Sequence, residues 1–165
     1  MISNETKFMP KGHATLTLLD KDGQIKYRHE IDNMVVTTGC ELIASRLSAV
    51  EPIDLPCCMA VGTGSSATDI SMTGLVAEVA GSRTKFDLLP DAAEGSEKRY
   101  PTRNGSVITY VTTFGEGVGT GVLTEAGIFN NTTKGQGVML NRITFPIVTK
   151  EAADTLIINW SVTIS

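Results

Sequence analysis

The chain has 165 residues, of which 41% are hydrophobic and 19% are charged. That length fits one domain, which at this size buries ~70% of the surface that its unfolded chain exposes, and the composition excludes a disordered chain, which would be polar and highly charged. Lys and Arg number 14 against 18 Asp and Glu, a net charge of -4, whereas nucleic-acid binders normally carry a basic surplus. We therefore expect a single domain over 1–165 that does not bind nucleic acid.

Neither a signal peptide nor a membrane span is predicted. The first residues, which we expect to form an N-terminal arm over 1–12, lack the apolar stretch of a signal peptide. No run approaches the ~20 consecutive apolar residues that a membrane helix needs. The three cysteines, Cys40, Cys57 and Cys58, are odd in number and include an adjacent pair, unlike the disulfides of a small secreted domain. We expect synthesis in a reducing cytoplasm and no membrane partner.

The first third of the chain predicts a β-hairpin followed by a helix. Apolar and polar residues alternate with the period of a half-buried strand, an Asp- and Gly-containing turn follows, and apolar residues at helical spacing come later. These patterns predict a strand over 13–20, a turn over 20–23, a returning strand over 24–31, a β-prone run over 33–37, and a helix from Thr38 that ends before Pro52.

The remainder predicts short strands separated by loops rich in Gly, Pro, Asn and Asp. The predicted strands cover 58–61, 82–89, 107–114, 125–130, 138–145 and 155–164, with one helical turn over 75–79 and a polar surface loop or insert over 90–105. Roughly eight strands without βαβ alternation favour an antiparallel arrangement over a parallel sheet. The chain is therefore predicted to be mostly β: an antiparallel, jelly-roll-like β-sandwich with one short central helix.

Motifs for catalysis or cofactor binding are not recognised. His13 and His29 are the two histidines, and no zinc-binding spacing accompanies them. The alternating glycines of 115–121 satisfy no nucleotide-binding pattern. Cys40, at the start of the predicted helix, is the best candidate nucleophile, because a helix N-terminus lowers a thiol pKa, but packing as a small apolar residue is favoured. We expect no enzyme activity, cofactor or metal.

Two charged residues are predicted to form a structural ion pair. Glu125 and Arg142 each lie among apolar residues of a predicted strand, and burying either one unpaired would cost several kcal/mol. We expect them to pair with each other and to fix the fold. Glu78 and Arg83 flank a bend that contains Gly81, and they are a second pair of charges of interest.

An ordered set of motifs resembles a family of small virion structural proteins of tailed bacteriophages. The resemblance covers nearly the whole chain from Gly12 to Ser165 and departs from the family in the insert over 90–105 and in Cys57-Cys58. The motifs are Asp32-Asn33-Met34-Val35-Val36-Thr37-Thr38-Gly39, Met59-Ala60-Val61-Gly62-Thr63-Gly64, Leu75-Val76-Ala77-Glu78, Tyr110-Val111-Thr112-Thr113-Phe114, Thr124-Glu125-Ala126-Gly127-Ile128-Phe129-Asn130, Met139-Leu140-Asn141-Arg142-Ile143-Thr144-Phe145 and Trp160-Ser161-Val162-Thr163-Ile164.

The resemblance implies a non-enzymatic protein that assembles with copies of itself and docks on other phage structural proteins in the virion. A position at the neck or collar, or at tail or fibre attachment, is favoured over capsid decoration. The alternative is a carbohydrate- or host-receptor-binding sandwich, which would need aromatic platforms for sugar rings. Aromatic residues make up only 5% of the chain, and its one Trp, Trp160, lies among apolar strand neighbours.

The cysteines leave two interpretations open. If Cys57 and Cys58 are both extended, their side chains project to opposite faces and cannot easily bond each other. One of them, or Cys40, would then be free to form an intersubunit disulfide after the particle leaves the cytoplasm. The other interpretation, three reduced and buried thiols, is somewhat favoured, because free cysteines are commonly buried.

Overall fold

The computed structural model describes residues 9–48 and 50–165, so most of the predicted arm over 1–12 lies outside the described residues. Within these ranges the chain forms nine strands and one helix. The elements are β1 (Lys11–Leu19), β2 (Ile25–Met34), α1 (Thr37–Ser48), β3 (Cys58–Gly62), β4 (Thr84–Lys85), β5 (Thr102–Asn104), β6 (Val107–Phe114), β7 (Gly121–Phe129), β8 (Met139–Lys150) and β9 (Thr155–Thr163). The described part of the chain contains no helix with the length and apolar character needed to cross a membrane.

The strands form two antiparallel sheets with a common core between them. Sheet A has the strand order β2-β1-β9-β6-β5, and sheet B has the order β4-β3-β7-β8. Inward-facing side chains of both sheets meet in one hydrophobic cluster, which includes Leu16, Phe114 and Trp160 from sheet A and Val61 and Ile128 from sheet B. The predicted mostly β, antiparallel sandwich with one short helix is confirmed.

Strand β9 shows most simply why the sequence folds this way. It lies in the middle of sheet A, between β1 and β6. Every second residue points into the core and is buried, while the residues between them are partly or fully exposed. The buried set is Leu156, Ile158, Trp160 and Val162. The alternation of apolar and polar residues in this part of the sequence therefore reflects the burial of one face of the strand.

Helix α1 packs closely against the start of β8. A Cβ atom on Gly39 would overlap the backbone carbonyl oxygen of Leu140 and would lie 2.6 Å from Val35 Cγ1, so only glycine permits this approach. Thr38 Oγ1 donates a hydrogen bond to Met139 O at 2.7 Å. The predicted strand over 33–37 is wrong in its second half, because Val35 forms only an isolated bridge with Asn141 and Thr37 begins the helix.

Three further predictions need correction. The segment 75–79 contains no helical turn, since Glu78 forms a bridge with Gly62 and the neighbouring amides are bound elsewhere. Of the strand predicted over 82–89, only β4 is formed, and the side chain of Phe86 is buried in the core. The insert over 90–105 is largely exposed, but its end forms β5, which pairs with β6.

The outer face of sheet B is covered by the segment that follows β3. Met72 and Leu75 of this segment pack on a second, smaller apolar cluster. The buried members of the cluster are Val36, Cys58, Ala60, Phe129 and Met139. Sheet B is therefore buried on both faces over much of its area, which accounts for the uninterrupted burial of β3.

The connection between β8 and β9 is held by a buried lysine. Lys150 Nζ donates to the backbone oxygens of Gly115 at 2.8 Å and Asp154 at 2.6 Å. The carboxylate of Asp154 accepts hydrogen bonds from Lys26 Nζ at 2.8 Å and from the amide of Glu151 at 2.9 Å. This arrangement, the hairpin clasp, joins β2, the loop after β6 and the β8–β9 turn.

Candidate functional site

Glu125 and Arg142 lie together on the outer face of sheet B. In the β7–β8 register Glu125 is opposite Thr144 and Arg142 is opposite Gly127, so the two side chains are diagonal neighbours on one face. Arg142 Nε donates to Glu125 Oε2 at 2.8 Å, and both side chains are 0% exposed. The structure thus brings together the two residues for which the sequence predicted an ion pair.

Glu125 also binds the segment that crosses this face. Its Oε1 accepts hydrogen bonds from the amides of Gly64 at 3.0 Å and Ala77 at 2.7 Å, and its Oε2 accepts one from Val76 at 3.0 Å. A Cβ atom on Gly62 would lie 2.5 Å from Oε1, so the carboxylate fills the space that this glycine leaves. With Arg142, four donors engage the carboxylate, which makes it a structural anchor.

Arg142 extends the same network toward the edge of sheet A. Its Nη1 donates to the backbone oxygen of Ser66 and to Thr68 Oγ1, each at 3.0 Å. Its backbone oxygen accepts a hydrogen bond from Asn33 Nδ2 at 3.3 Å. Asn33 Oδ1 in turn accepts one from Trp160 Nε1 at 3.2 Å. A polar chain therefore runs from the outer face of sheet B to the centre of sheet A.

A second ion pair lies beside this network. Arg83 contacts Glu78 through Nε–Oε1 at 2.9 Å and Nη2–Oε2 at 3.1 Å, and the two side chains are only 5% and 7% exposed. The Arg83 guanidinium also lies 3.9 Å from the centroid of the Phe129 ring, a cation–π contact. Sequence reasoning found the two charges but not this stacking, because nothing in the spacing relates position 83 to position 129.

The stacked pair borders a surface groove of about 610 Å³. Lys134 and Gln136 also line the groove, and Lys134 Nζ donates to Glu78 O at 2.7 Å. Arg83 covers the Phe129 ring, so that ring is not free to stack on a sugar. Trp160 is buried and hydrogen-bonded within the core. Neither aromatic residue provides the platform that the carbohydrate-binding alternative requires.

The adjacent cysteines do not point to opposite faces. Cys58 is buried in the outer cluster of sheet B, and Cys57 packs against the same cluster. The condition for opposite faces, that both cysteines lie in an extended strand, is not met, because Cys57 precedes β3. Cys58 Sγ donates to Asn131 O at 3.2 Å, and burial, reinforced by the neighbouring Cys57, raises the pKa of Cys58 to about 12.

Cys40 is half-buried near the start of α1 and is a free thiol, as are Cys57 and Cys58. Burial, together with the nearby carboxylate of Glu41, raises the pKa of the Cys40 thiol. The expected lowering by the helix N-terminus is therefore outweighed. A thiol with a raised pKa is a poor nucleophile at neutral pH.

The two histidines lie on the hairpin formed by β1 and β2. His13 Nδ1 is 2.6 Å from Asp32 Oδ1, and His29 lies beside the ring of Tyr27 with a centroid distance of 6.0 Å. Over residues 9–48 and 50–165, no three His, Cys, Asp or Glu side chains are grouped closely enough to hold a metal ion.

Comparisons of the chain with protein-family models, with curated proteins and with solved structures find no match.

Proposed function

We propose that this chain is a non-enzymatic structural protein of a tailed-bacteriophage virion, which assembles with copies of itself and docks on other phage structural proteins. The favoured positions are the neck or collar and the tail or fibre attachment site. The protein would be made in the bacterial cytoplasm and then incorporated into the particle.

The observation that carries this proposal is where the family-like motifs meet. Gly64 comes from the second motif, Val76 and Ala77 from the third, Glu125 from the fifth and Arg142 from the sixth, and all of them join in one buried network. The first and last motifs are linked to it through Asn33 and Trp160. Motifs scattered over the sequence therefore serve one scaffold, as expected if the resemblance reflects a common fold.

The chemistry of the network supports a scaffold in preference to an active site. A general acid or base must present a lone pair or proton to a substrate, whereas Glu125 is completely buried and engaged by four donors. Arg142 Nη2 has no hydrogen-bond partner within the described part of the chain, but its Nε and Nη1 and both carboxylate oxygens of Glu125 are bound, and such a buried network confers rigidity. Rigidity suits a protein whose task is contact with other proteins.

The proposal is tested on particles released from the host whose genome encodes this chain. Purified particles are analysed by quantitative mass spectrometry, and the protein is located by immunogold electron microscopy with an antibody against it. We expect a fixed number of copies per particle and labelling at the neck or tail. Absence from particles in which the other virion proteins are detected would contradict the proposal.

A parallel experiment separates the receptor-binding alternative. Fluorescently labelled protein is incubated with intact host cells and with a glycan array. Saturable binding to cells or glycans by protein that is absent from particles would favour that alternative, and we expect no such binding.

A further inference from the structure

Strand β2 offers a free edge of ten residues at the end of sheet A, where β1 is its neighbour. The edge strands β4 and β5 have only two and three residues. The edge strand β8 contains Pro146, which has no amide to donate to another strand. A long edge with unpaired backbone groups is a template for a further strand, and β2 is the edge best suited to that role.

Every second residue of β2 turns its backbone groups toward this edge. The Val35 amide donates to Pro10 O at 3.4 Å, and the register of β1 with β2 is regular over positions 27–34. Along an antiparallel strand, the N–H and C=O groups point alternately to the two sides. The odd-numbered residues of this stretch therefore bond to β1, and the backbone groups of Arg28 and Glu30 are directed outward.

The side chains at this edge carry charges in a self-complementary order. Two basic residues, Lys26 and Arg28, are followed by two acidic residues, Glu30 and Asp32, at every second position, and all four are exposed. We consider an antiparallel pair of β2 strands related by a twofold axis that passes through position 29, perpendicular to the sheet. Arg28 of each copy is then directly opposite Glu30 of the other, on the same face of the sheet.

The side chains of Arg28 and Glu30 are available for this contact. Within one copy, Arg28 Nη2 lies 3.4 Å from Glu30 Oε1, and the two side chains are 58% and 54% exposed. Lys26, in contrast, is bound by Asp154 in the hairpin clasp. The charge complementarity therefore rests on the two Arg28–Glu30 pairs, one on each side of the axis.

Neighbouring registers do not pair these charges. Sliding the strands by two residues brings Glu30 opposite Glu30 in one direction and Arg28 opposite Arg28 in the other. Sliding them by one residue places outward-directed backbone groups opposite groups that face β1. Charged side chains on an edge strand normally keep other strands away, whereas here opposite charges select one partner in one register.

The inner face of β2 adds apolar contacts in the same register. Tyr27 and Ile31 are partly buried against the core of their own copy, and Tyr27 of one copy lies opposite Ile31 of the other. Pairs of an aromatic and a β-branched residue stabilise neighbouring strands. His29 lies on the axis, beside its own equivalent.

Strand β8 runs beside β2 in the opposite direction, so sheet B also approaches the second copy. Val35 forms an antiparallel bridge with Asn141 near the start of β8, and Lys26 Nζ lies 4.0 Å from Glu151 Oε2 just after its end. Between these contacts, Ile147 of β8 is 66% exposed. A stable interface buries at least about 1,200 Å² in total, and β8 supplies area that a strand pair alone lacks.

We propose that β2 binds β2 of a second copy, antiparallel about a twofold axis through position 29, so that sheet A continues from one copy into the other. The inference rests on the self-assembly in the proposed function and deepens it by naming the surface through which two copies meet. Backbone hydrogen bonds supply the affinity, and the side-chain pairs fix the register. The twofold axis makes the contact isologous, with the same surface used on both sides.

The first test is a charge exchange, read out by light scattering coupled to size exclusion. We expect the wild type to be a dimer or larger. Arg28→Glu and Glu30→Arg should each weaken association about tenfold or more, because each places like charges opposite one another on both sides of the axis. The double variant restores opposite charges and should regain the lost affinity.

The matched control for Arg28→Glu is Lys98→Glu. Lys98 is exposed in the insert over 90–105, outside β2, so its replacement makes the same change of charge away from the edge and should leave association unchanged. Arg28 and Glu30 are exposed in a single copy, and all variants should therefore keep the circular dichroism spectrum of the wild type. Equal affinity in the wild type, both single variants and the double variant would contradict the proposed register.

The second test places a thiol on the axis. In His29→Cys, the introduced thiols of the two copies face each other in the closer, non-hydrogen-bonded kind of strand pair. They should form a disulfide when oxidised glutathione accepts the two electrons and two protons. Non-reducing electrophoresis should show a covalent dimer that disappears on reduction. Lys98→Cys and the wild type, with its three native thiols, are the controls and should give no such dimer.

Hydrogen exchange reads out the backbone contact directly. The amides of Arg28 and Glu30 should exchange slowly in a concentrated sample and faster after dilution, because the second copy protects them. The amide of His29, which faces β1, should be protected at both concentrations. Exchange at Arg28 and Glu30 that is fast in a sample shown to be dimeric would contradict the strand pairing.

The outcomes separate the inference from the proposed function. An oligomeric wild type that the charge reversals leave unchanged, and that His29→Cys does not cross-link, would overturn the β2 pairing while self-assembly stands. A wild type that is monomeric at every concentration would overturn both. Presence of the protein in the virion is established separately, by the particle experiment.

Discussion

At the scale of single residues, removal of the Glu125 side chain should lower the free energy of unfolding more than removal of any other side chain discussed here. Glu125→Ala removes the partner of Arg142 and the acceptor of the amides of Gly64, Val76 and Ala77. Leaving the guanidinium buried and unpaired should lower the free energy of unfolding by about 3 to 5 kcal/mol, as measured by urea denaturation.

The control for Glu125→Ala is Glu30→Ala. Glu30 pairs with Arg28 at 3.4 Å, but both side chains are more than half exposed, and such pairs contribute no more than about 1 kcal/mol. If the two variants lose equal amounts of unfolding free energy, burial does not make the Glu125 pair more stabilising than an exposed pair.

Cys58 should be the least reactive of the three thiols. It is 0% exposed, and burial raises its pKa to about 12, so its thiolate is scarce at neutral pH. Brief alkylation of the native protein followed by mass spectrometry should leave Cys58 unmodified, whereas all three cysteines should react in denaturant. Rapid native labelling of Cys58 would contradict this prediction.

At the scale of elements, the contact of α1 with β8 depends on Gly39. In Gly39→Ala, the added Cβ would collide with the carbonyl oxygen of Leu140, which cannot move without disturbing β8. The helix must shift, and overpacking of this kind costs roughly 1 to 3 kcal/mol. Thermal denaturation should show the loss. Gly115→Ala is the matched control, because a Cβ there meets nothing within 4 Å.

Because of the hairpin clasp, the free energy of unfolding should depend on pH in the acidic range. The hydrogen bond from Lys26 and that from the Glu151 amide hold the pKa of Asp154 below its usual value of 3.8. Because the folded value lies below the unfolded one, the stabilisation is present above about pH 3.8 and is lost as the pH falls through the folded value.

Asp154→Asn removes this dependence while retaining the shape of the side chain. Denaturation in urea should therefore show a large difference between wild type and variant at neutral pH and a smaller one well below about pH 3.8. A difference that stays constant over this range would show that the charge of Asp154 does not contribute.

Local patterns predicted the elements whose burial alternates regularly. Strand β6 has the bounds that the sequence predicted, and the helix ends before Pro52 as expected. The sequence predicts a helical turn over 75–79, but the amides of Val76 and Ala77 bind Glu125, a residue about 50 positions away. The pairing of Glu125 with Arg142 was predictable from the cost of burying a lone charge, but its backbone partners were not.

At the scale of the whole molecule, three strand pairs join distant parts of the chain. Strand β1 pairs with β9, and β3 pairs with β7. Folds dominated by such non-local pairing fold in milliseconds to seconds. Trp160, the one tryptophan of the chain, lies buried in β9. Stopped-flow fluorescence should therefore report the formation of sheet A on that timescale, and a microsecond phase with full amplitude would contradict this.

The central place of β9 has a consequence for the chain as the ribosome produces it. Strands β1 and β6 are made before β9 but are not neighbours, because β9 separates them in sheet A. Until β9 is made, β1 and β6 are not joined within sheet A. Sheet A can therefore close only after β9 has been synthesised.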